Sequence, residues 1–253
     1  IPTGGAQSYP SIRAAITDLN NQGVGGSGVT FDVAAGYVET ITDSLVLTAG
    51  GKSGGYIVFQ KSGTGANPQI SRTNNGFLNT STLGGQGDAV MIFQGCDYVR
   101  FDGIDITTAN QGIEYGYYIR RASATDGSRY VEIKNCTITM TKGTSSYVTG
   151  IYSSNNDPTS LVSSATGVTL TSIDGRHENV TITGNTIQNT ANGILLRGYA
   201  QASPYYDFYD QNFVVGAPGA GNTIVNWAGG STTTVYGIYF IYHANQSISY
   251  NHI

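Results

Sequence analysis

The sequence predicts an all-β fold in which short strands stack into a solenoid, a parallel β-helix, with a helix over its N-terminal end. Three observations predict it. A phrase of alternating apolar and polar residues closes on an isoleucine and recurs along the chain, as at Ile187 and Ile224. A second apolar run, opened by glycine, follows most of these phrases. Residues 8–22, near the start, instead space their apolar side chains as a helix does.

The phrases that close on isoleucine define the repeat. Val180, Ile182 and Ile187 alternate with polar residues, which is the period-two pattern of a strand. The same pattern closes at four further positions, Ile106, Ile138, Ile224 and Ile253. The interruption at Gly184 and Asn185 predicts a sharp bend, after which a second strand resumes on the same inner face.

The runs opened by glycine supply a third strand in each repeat. They begin at Gly116, Gly150, Gly193 and Gly237. Three short strands per repeat favour a parallel solenoid over hairpins, because hairpins would need a series of two-residue Asn-Gly or Asp-Gly turns. Equivalent residues stack in a solenoid, so Asn185, Asn222 and Asn251 are expected to form a ladder of side-chain amides.

The helix predicted over residues 8–22 covers one end of the solenoid. Its apolar residues recur at helical spacing, at Ile12, Ala15, Ile16 and Leu19. Ser8 is the expected N-cap, Pro10 lies in the first turn, and Gly23 ends the helix. A helix there is expected because an uncovered end exposes apolar faces and free strand edges.

The domain organisation follows from these patterns. We expect residues 1–90 to form the N-terminal cap and first coils, and residues 91–253 to form the remaining coils of one continuous domain. Because the sequence stops on the last letter of a strand phrase at Ile253, we also expect more chain to follow it.

The two cysteines are expected to be free, buried thiols. A chain of 253 residues buries enough core to need no covalent staple, and Cys136 stands where other repeats have Ile or Asn. A disulfide between Cys96 and Cys136 is the alternative for a secreted protein.

The composition excludes some partners. Charged residues make up 11% of the chain, against a usual share of about 25%. The net charge is −4 and the isoelectric point about 5.2, so there is no basic field to attract nucleic acid or anionic lipid. No window approaches the roughly 18 to 20 apolar residues of a membrane span. Nucleic-acid binding and membrane insertion are therefore not expected.

These repeats resemble the right-handed parallel β-helix proteins of the pectate-lyase-like superfamily. The opening stretch, SYPSIRAAITDLNNQGVGGSGVTFDVAAGYVET, resembles the start of large secreted and cell-surface proteins of Bacteroidota, many of them exported by the type IX system. The resemblance implies an extracellular or cell-surface location. It does not fix a function, because the superfamily includes lyases, glycosidases, esterases, adhesins and phage tailspikes.

Sequence evidence for a metal or cofactor is thin. Asp102 and Asp105 alternate with apolar residues and could lie one coil from Glu132 and Lys134. A Ca²⁺ ion needs 6–8 oxygen ligands, and the sequence has no dense acidic loop to provide them. We expect no metal site and no cofactor, with calcium as the alternative.

The densest ionisable cluster lies in residues 173–178, where Asp174, Arg176 and His177 could act in a lyase or hydrolase site. Arg197, which follows a glycine-opened run, is a further candidate for such a site or for binding an acidic polysaccharide. A solvated turn before a strand accounts for the cluster equally well. No catalytic set is therefore assigned.

An aromatic insertion between the repeats that close at Ile187 and Ile224 is the stronger functional signal. The residues expected to bind a ligand are Tyr205, Tyr206, Asp207, Phe208, Tyr209 and Asp210. Tyrosine and phenylalanine faces can stack on sugar rings, while carboxylates and hydroxyls can bind sugar hydroxyls. The alternative is that the insertion packs back onto the solenoid as a satellite cluster.

The expected function is that of a secreted or cell-surface module for adhesion or carbohydrate binding, within a larger protein. Its partners would be a polysaccharide or surface glycan, further domains of the same chain, or a surface or secretion assembly. One alternative is a polysaccharide lyase or glycoside hydrolase acting on a plant or algal polysaccharide. Another is a structural component that joins a surface assembly by strand addition.

Overall fold

The computed structural model describes residues 8–76, 88–144, 147–159, 167–201, 206–228 and 234–253. These residues form a mostly β structure with one α-helix, α1 (Ile12–Gln22), and one turn of 3₁₀ helix at Ile173–Gly175. The strands pair in parallel and build three large sheets and one small one.

Each large sheet takes every third strand or nearly so. Sheet A contains, in spatial order, β1 (Val29–Ala34), β4 (Ile57–Ser62), β7 (Asp97–Asp102), β10 (Arg129–Lys134), β13 (Thr181–Thr183), β17 (Val214–Val215) and β21 (Ser247–Ile248). Sheet B contains β2 (Val38–Ile41), β5 (Gln69–Arg72), β8 (Asp105–Thr108), β11 (Thr137–Thr139), β14 (Thr186–Gln188) and β18 (Thr223–Val225). Sheet C contains β3 (Leu45–Leu47), β6 (Ala89–Gln94), β9 (Tyr115–Arg120), β12 (Thr149–Ser153), β15 (Asn192–Arg197) and β19 (Ile238–Ile241). The small sheet pairs β16 (Asp210–Gln211) with β20 (His243–Ala244).

The chain therefore passes through sheets A, B and C in turn and then begins the next layer, an arrangement compatible with a parallel β-helix. The isoleucines that close the repeats are direct neighbours in sheet B, where Ile138 pairs with Ile106 and Ile187, and Ile187 pairs with Ile224. Gly184, with φ +68°, provides the predicted bend between β13 and β14, since glycine enters the left-handed region without steric cost. The predicted repeat is confirmed in this register.

The core lies between the sheets. Inward-facing side chains from all three large sheets and from α1 form one buried cluster that includes Ile106, Ile138 and Ile187. Burying a side chain of this size stabilises the fold by about 1.5–3 kcal/mol. A second cluster covers the opposite face of sheet C and contains Tyr118, Tyr152 and other residues, namely Ala89, Ile92, Tyr115 and Leu195.

The ladder of asparagine amides is confirmed. Asn222 Oδ1 accepts hydrogen bonds from the backbone N–H of Asn185 at 3.1 Å and from Asn185 Nδ2 at 2.9 Å. Asn251 Oδ1 accepts the corresponding two bonds from Asn222 at 3.1 and 2.9 Å. The ladder extends to Cys136, whose N–H donates to Asn185 Oδ1 at 3.0 Å. These side chains satisfy backbone donors at the corner between sheets A and B.

Helix α1 forms as predicted but begins later. Ser11, not Ser8, is the N-cap, because Ser11 has an extended backbone and its Oγ accepts from Ala14 N at 3.0 Å. Pro10 accordingly precedes the helix instead of lying in its first turn. Gly23 ends the helix with φ +70°, and its N–H donates to Leu19 O at 2.7 Å.

Both cysteines are free and buried, as predicted. The Cys96 thiol donates to Leu47 O at 2.7 Å. Burial raises the pKa of the Cys136 thiol to about 12. Both residues act as small apolar side chains in the core.

Candidate functional site

The candidate catalytic residues of the 173–178 turn point in different directions. Asp174 is exposed and forms an ion pair with Arg129 at 2.6 Å, and the hydrogen bond from Arg129 lowers the pKa of the Asp174 carboxyl. Arg176 forms an ion pair with Glu178 at 3.4 Å. Only His177 enters the interior, where it is fully buried.

His177 has both ring nitrogens engaged. Nδ1 accepts from the backbone N–H of Ser128 at 2.9 Å, so the neutral ring carries its proton on Nε2, which lies 3.1 Å from Ser154 O. Burial, followed by the charge of Arg121, lowers the pKa of His177 to about 3. Both nitrogens of this neutral, enclosed imidazole bind backbone groups. The ring is therefore placed to stabilise the backbone and not to exchange protons with a substrate.

This contact is one rung of a second ladder, at the corner between sheets C and A. Cys96 N–H donates to Ser128 Oγ at 3.2 Å, and Ser128 N–H donates to His177 Nδ1. His177 N–H in turn donates to Asp210 Oδ1 at 2.8 Å. Each side chain thus accepts the N–H of its counterpart in the preceding layer, as the asparagines do at the other corner. His243 follows in this column, since it pairs with Asp210 between β16 and β20.

Three fully buried residues, Arg121, His177 and Asp210, and the half-buried His243 form what we call the buried cluster. Arg121 Nη2 lies 2.9 Å from Asp210 Oδ1, with both side chains fully buried, and Arg121 Nε donates to Asn155 Oδ1 at 2.7 Å. Burial alone would raise the pKa of Asp210, but the charge of Arg121 outweighs it and holds that pKa below its usual value. This ion pair neutralises both charges in the interior.

Some polar atoms of the buried cluster have no hydrogen-bond partner in the part of the chain that the structure describes. They are Arg121 Nη1, Asp210 Oδ2 and both ring nitrogens of His243. Burial lowers the pKa of His243 to about 4, so this ring is neutral at pH 7. The cluster therefore holds one ion pair and two neutral imidazoles.

The aromatic insertion presents a surface outside this cluster. Tyr206 is 63% exposed and its ring packs edge-on against Tyr209, with centroids 5.1 Å apart. Tyr209 packs in the same way against Tyr242, at 5.7 Å. We call Tyr206, Tyr209 and Tyr242 the tyrosine surface. Phe208, half-buried, packs to one side against Tyr199 at 6.4 Å.

The insertion is anchored at several points. Arg176 Nη1 donates to Asp207 O at 3.1 Å, and Gln201 Oε1 accepts from Phe208 N at 2.7 Å. Asp210 then enters the interior to pair with Arg121. Of the residues expected to bind a ligand, Tyr206 and Asp207 are exposed, Phe208 and Tyr209 are half-buried, and Asp210 is enclosed. Tyr205 lies outside the described residues.

Arg197 lies apart from the 173–178 turn, at the end of β15 in sheet C. Among the described residues no hydrogen bond or ion pair joins it to Asp174, Arg176 or His177. Its charge acts instead on the Tyr152 hydroxyl, whose pKa is raised by burial and partly lowered by Arg197.

The acids considered for calcium make other contacts. Asp102 Oδ1 accepts from Asn135 Nδ2 at 2.7 Å, and Asp105 Oδ1 accepts from Thr137 N at 2.6 Å. Over the described ranges, no group of three or more His, Cys, Asp or Glu side chains is placed to hold a metal ion.

A cleft of about 530 Å³ lies between α1 and β1. Its lining includes Ile12, Leu19, Phe31 and Phe59, which belong to or pack against the main core. The cleft is therefore the end of the core beneath the helix, and it shares no residue with the tyrosine surface.

Sequence reasoning identified His177 and the insertion but missed Arg121, Ser128 and His243. No local pattern marks these residues, because Arg121 meets Asp210 across 89 positions of sequence. One signal could have pointed to the missed residues. When the repeats are aligned, Ser128, His177 and Asp210 fall at the same position, at the corner between sheets C and A.

Comparison with protein-family models, with curated proteins and with solved structures finds no match to this chain. Within the described residues, no helix has the length and apolar character needed to cross a membrane. By its fold and its site, the chain is a mostly β protein of stacked parallel sheets. It carries an exposed aromatic surface that is anchored to the sheets.

Proposed function

We propose that this chain is a right-handed parallel β-helix module of the pectate-lyase-like kind, which binds a polysaccharide or surface glycan through the tyrosine surface. The module acts at the cell surface or outside the cell, as the resemblance to exported Bacteroidota proteins implies. It contributes to adhesion or carbohydrate binding, beside further domains or within a surface assembly.

The observation that carries this proposal is the exposure of Tyr206 on a supported base. Tyr206 is 63% exposed and belongs to a contiguous group of rings, because it packs against Tyr209, which packs against Tyr242. Contiguous exposed aromatic surface, unlike a single exposed ring, is typical of an interaction site. A tyrosine offers a large, rigid and amphipathic contact at low entropic cost, which suits a sugar ring with an apolar face and a hydroxyl rim.

The arrangement favours binding over catalysis. A lyase or hydrolase site needs an accessible acid and base, and the candidates here are engaged: His177 is enclosed, Asp174 is paired with Arg129, and Arg176 is paired with Glu178.

Affinity electrophoresis in gels that contain soluble polysaccharides tests the proposal. Tyr206→Ala is expected to weaken retention about tenfold, equivalent to about 1.4 kcal/mol. Tyr250→Ala is the matched control, because Tyr250 is 67% exposed and lies outside the tyrosine surface. Equal retention of both variants and of the unaltered protein would refute a role for this surface.

A further inference from the structure

We propose that the tyrosine surface selects uncharged sugars and discriminates against uronate or sulfated glycans. This inference rests on the proposed function and adds the class of ligand. It follows from the charges that surround the rings.

The guanidinium groups beside the insertion are already neutralised. Arg176, which holds the insertion through Asp207 O, forms its ion pair with Glu178. Arg129, in the layer before, is paired with Asp174 at 2.6 Å. Recognition of a sugar carboxylate or sulfate relies on a guanidinium fork that is available for two parallel hydrogen bonds. Neither arginine can offer both of these hydrogen bonds to a sugar unless its ion pair with the neighbouring carboxylate breaks.

A carboxylate is the immediate chain neighbour of Tyr206 instead. Asp207 is exposed and directly follows Tyr206, and Arg176 contacts its backbone oxygen. An acidic glycan stacked on Tyr206 would bring its own negative charge close to Asp207. A neutral sugar would donate a hydroxyl hydrogen to the same carboxylate, which is a charge-assisted hydrogen bond.

The remaining cation near the insertion is Arg197, which has no ion pair among the described residues. It lies at the end of β15 in sheet C. Its charge acts there on Tyr152, which belongs to the second cluster, on the face of sheet C that points away from the main core. The net charge of −4 over the whole chain adds a long-range repulsion for polyanions. The surface therefore combines aromatic rings with one adjacent exposed carboxylate, a combination that suits neutral glycans.

The test compares hydroxyethylcellulose, a neutral β-glucan, with polygalacturonate, each at about 20 mM and about 500 mM NaCl. The unaltered protein should bind the neutral polymer equally at both salt concentrations and bind polygalacturonate at least about tenfold more weakly. Asp207→Asn removes the carboxylate and should reduce the difference between the affinities for the neutral polymer and for polygalacturonate. Arg197→Gln is the control and should change neither affinity.

Tighter binding of polygalacturonate that is lost in Arg197→Gln or at the higher salt concentration would overturn this inference and leave the proposed function standing. Binding of neither polymer, nor of any other in a wider panel of neutral and acidic glycans, would refute the proposed function and this inference together. Equal affinity for both polymers at both salt concentrations would refute the selectivity alone.

Discussion

His177 Nδ1 accepts the backbone N–H of Ser128 at 2.9 Å, in a position where the corner between sheets A and B uses asparagine oxygens. The imidazole is therefore part of the ladder that joins successive layers beneath the tyrosine surface. We therefore expect the His177 ring to stabilise the fold, and replacement of the ring tests this expectation.

His177→Ala is expected to lower the free energy of unfolding by about 3–5 kcal/mol, because it leaves the buried N–H of Ser128 without an acceptor and opens a cavity. His177→Asn should cost distinctly less, since its side-chain oxygen can accept the same hydrogen bond. Urea unfolding of the three proteins measures the difference. Equal losses in the two variants would show that the hydrogen bond contributes nothing beyond the volume of the ring.

His177, which is buried, and His243, whose ring nitrogens are shielded from solvent, predict a pH dependence of stability. The pKa of His177 is about 3 in the fold and near 6.5 when unfolded, so the unfolded chain binds the extra proton between these values. Stability should be complete above pH 6.5 and should fall as the pH drops towards 3, by about 1.4 kcal/mol per pH unit for this residue. His243, with a pKa of about 4, adds to the loss between pH 6.5 and 4.

Unfolding midpoints measured from pH 7 to pH 4 check this dependence, with His177→Asn as the control. The control lacks one titrating ring and should show a shallower slope. An unchanged slope would mean that His177 is protonated equally in the folded and unfolded chains.

The ion pair between Arg121 and Asp210 predicts strong coupling. Arg121→Met leaves the Asp210 carboxylate buried and unpaired, and should cost about 3–5 kcal/mol. Asp210→Asn keeps an oxygen for His177 N–H but leaves the guanidinium uncompensated. The double variant should be more stable than the sum of the two losses predicts. A double-mutant cycle by urea unfolding measures this coupling, and strict additivity would contradict it.

The N-terminal helix depends on a carboxylate from another element. Glu39 in β2 accepts from the backbone N–H of Ile12 at 2.6 Å and of Arg13 at 3.1 Å, so it satisfies two donors of the first turn. Glu39→Ala should destabilise the protein by about 1–2 kcal/mol. Amide hydrogen exchange should show that α1 loses protection before the central strands do. A uniform loss of protection across the protein would contradict a local cap.

Much of the fold could be predicted from sequence because every layer of the stack imposes the same demands. Each layer needs an apolar side chain at the position of Ile138 and Ile187, and the corner favours an amide at Asn185 and Asn222, so the pattern recurs where it can be read. The helix start was displaced, since Ser8 and Ser11 both suit an N-cap and only the backbone path decides between them.

The site could be predicted only in part. The aromatic insertion is visible because apolar residues in a loop break the polar pattern. The interior partners of Asp210 are not visible, since the lengths of the insertions decide which residues of distant repeats meet. His177 likewise looks solvent-exposed in a polar turn, and its direction depends on the register that places it over Ser128.

The most direct test of glycan binding is incubation of the purified protein with a panel of neutral and acidic polysaccharides. Retention of the protein is measured, together with polymer size by mass spectrometry of the soluble fraction. The proposed binding function predicts that the protein is retained on a neutral polysaccharide whose chains keep their length. Shortened or unsaturated oligosaccharides that accumulate with time would contradict it and show that the chain is an enzyme.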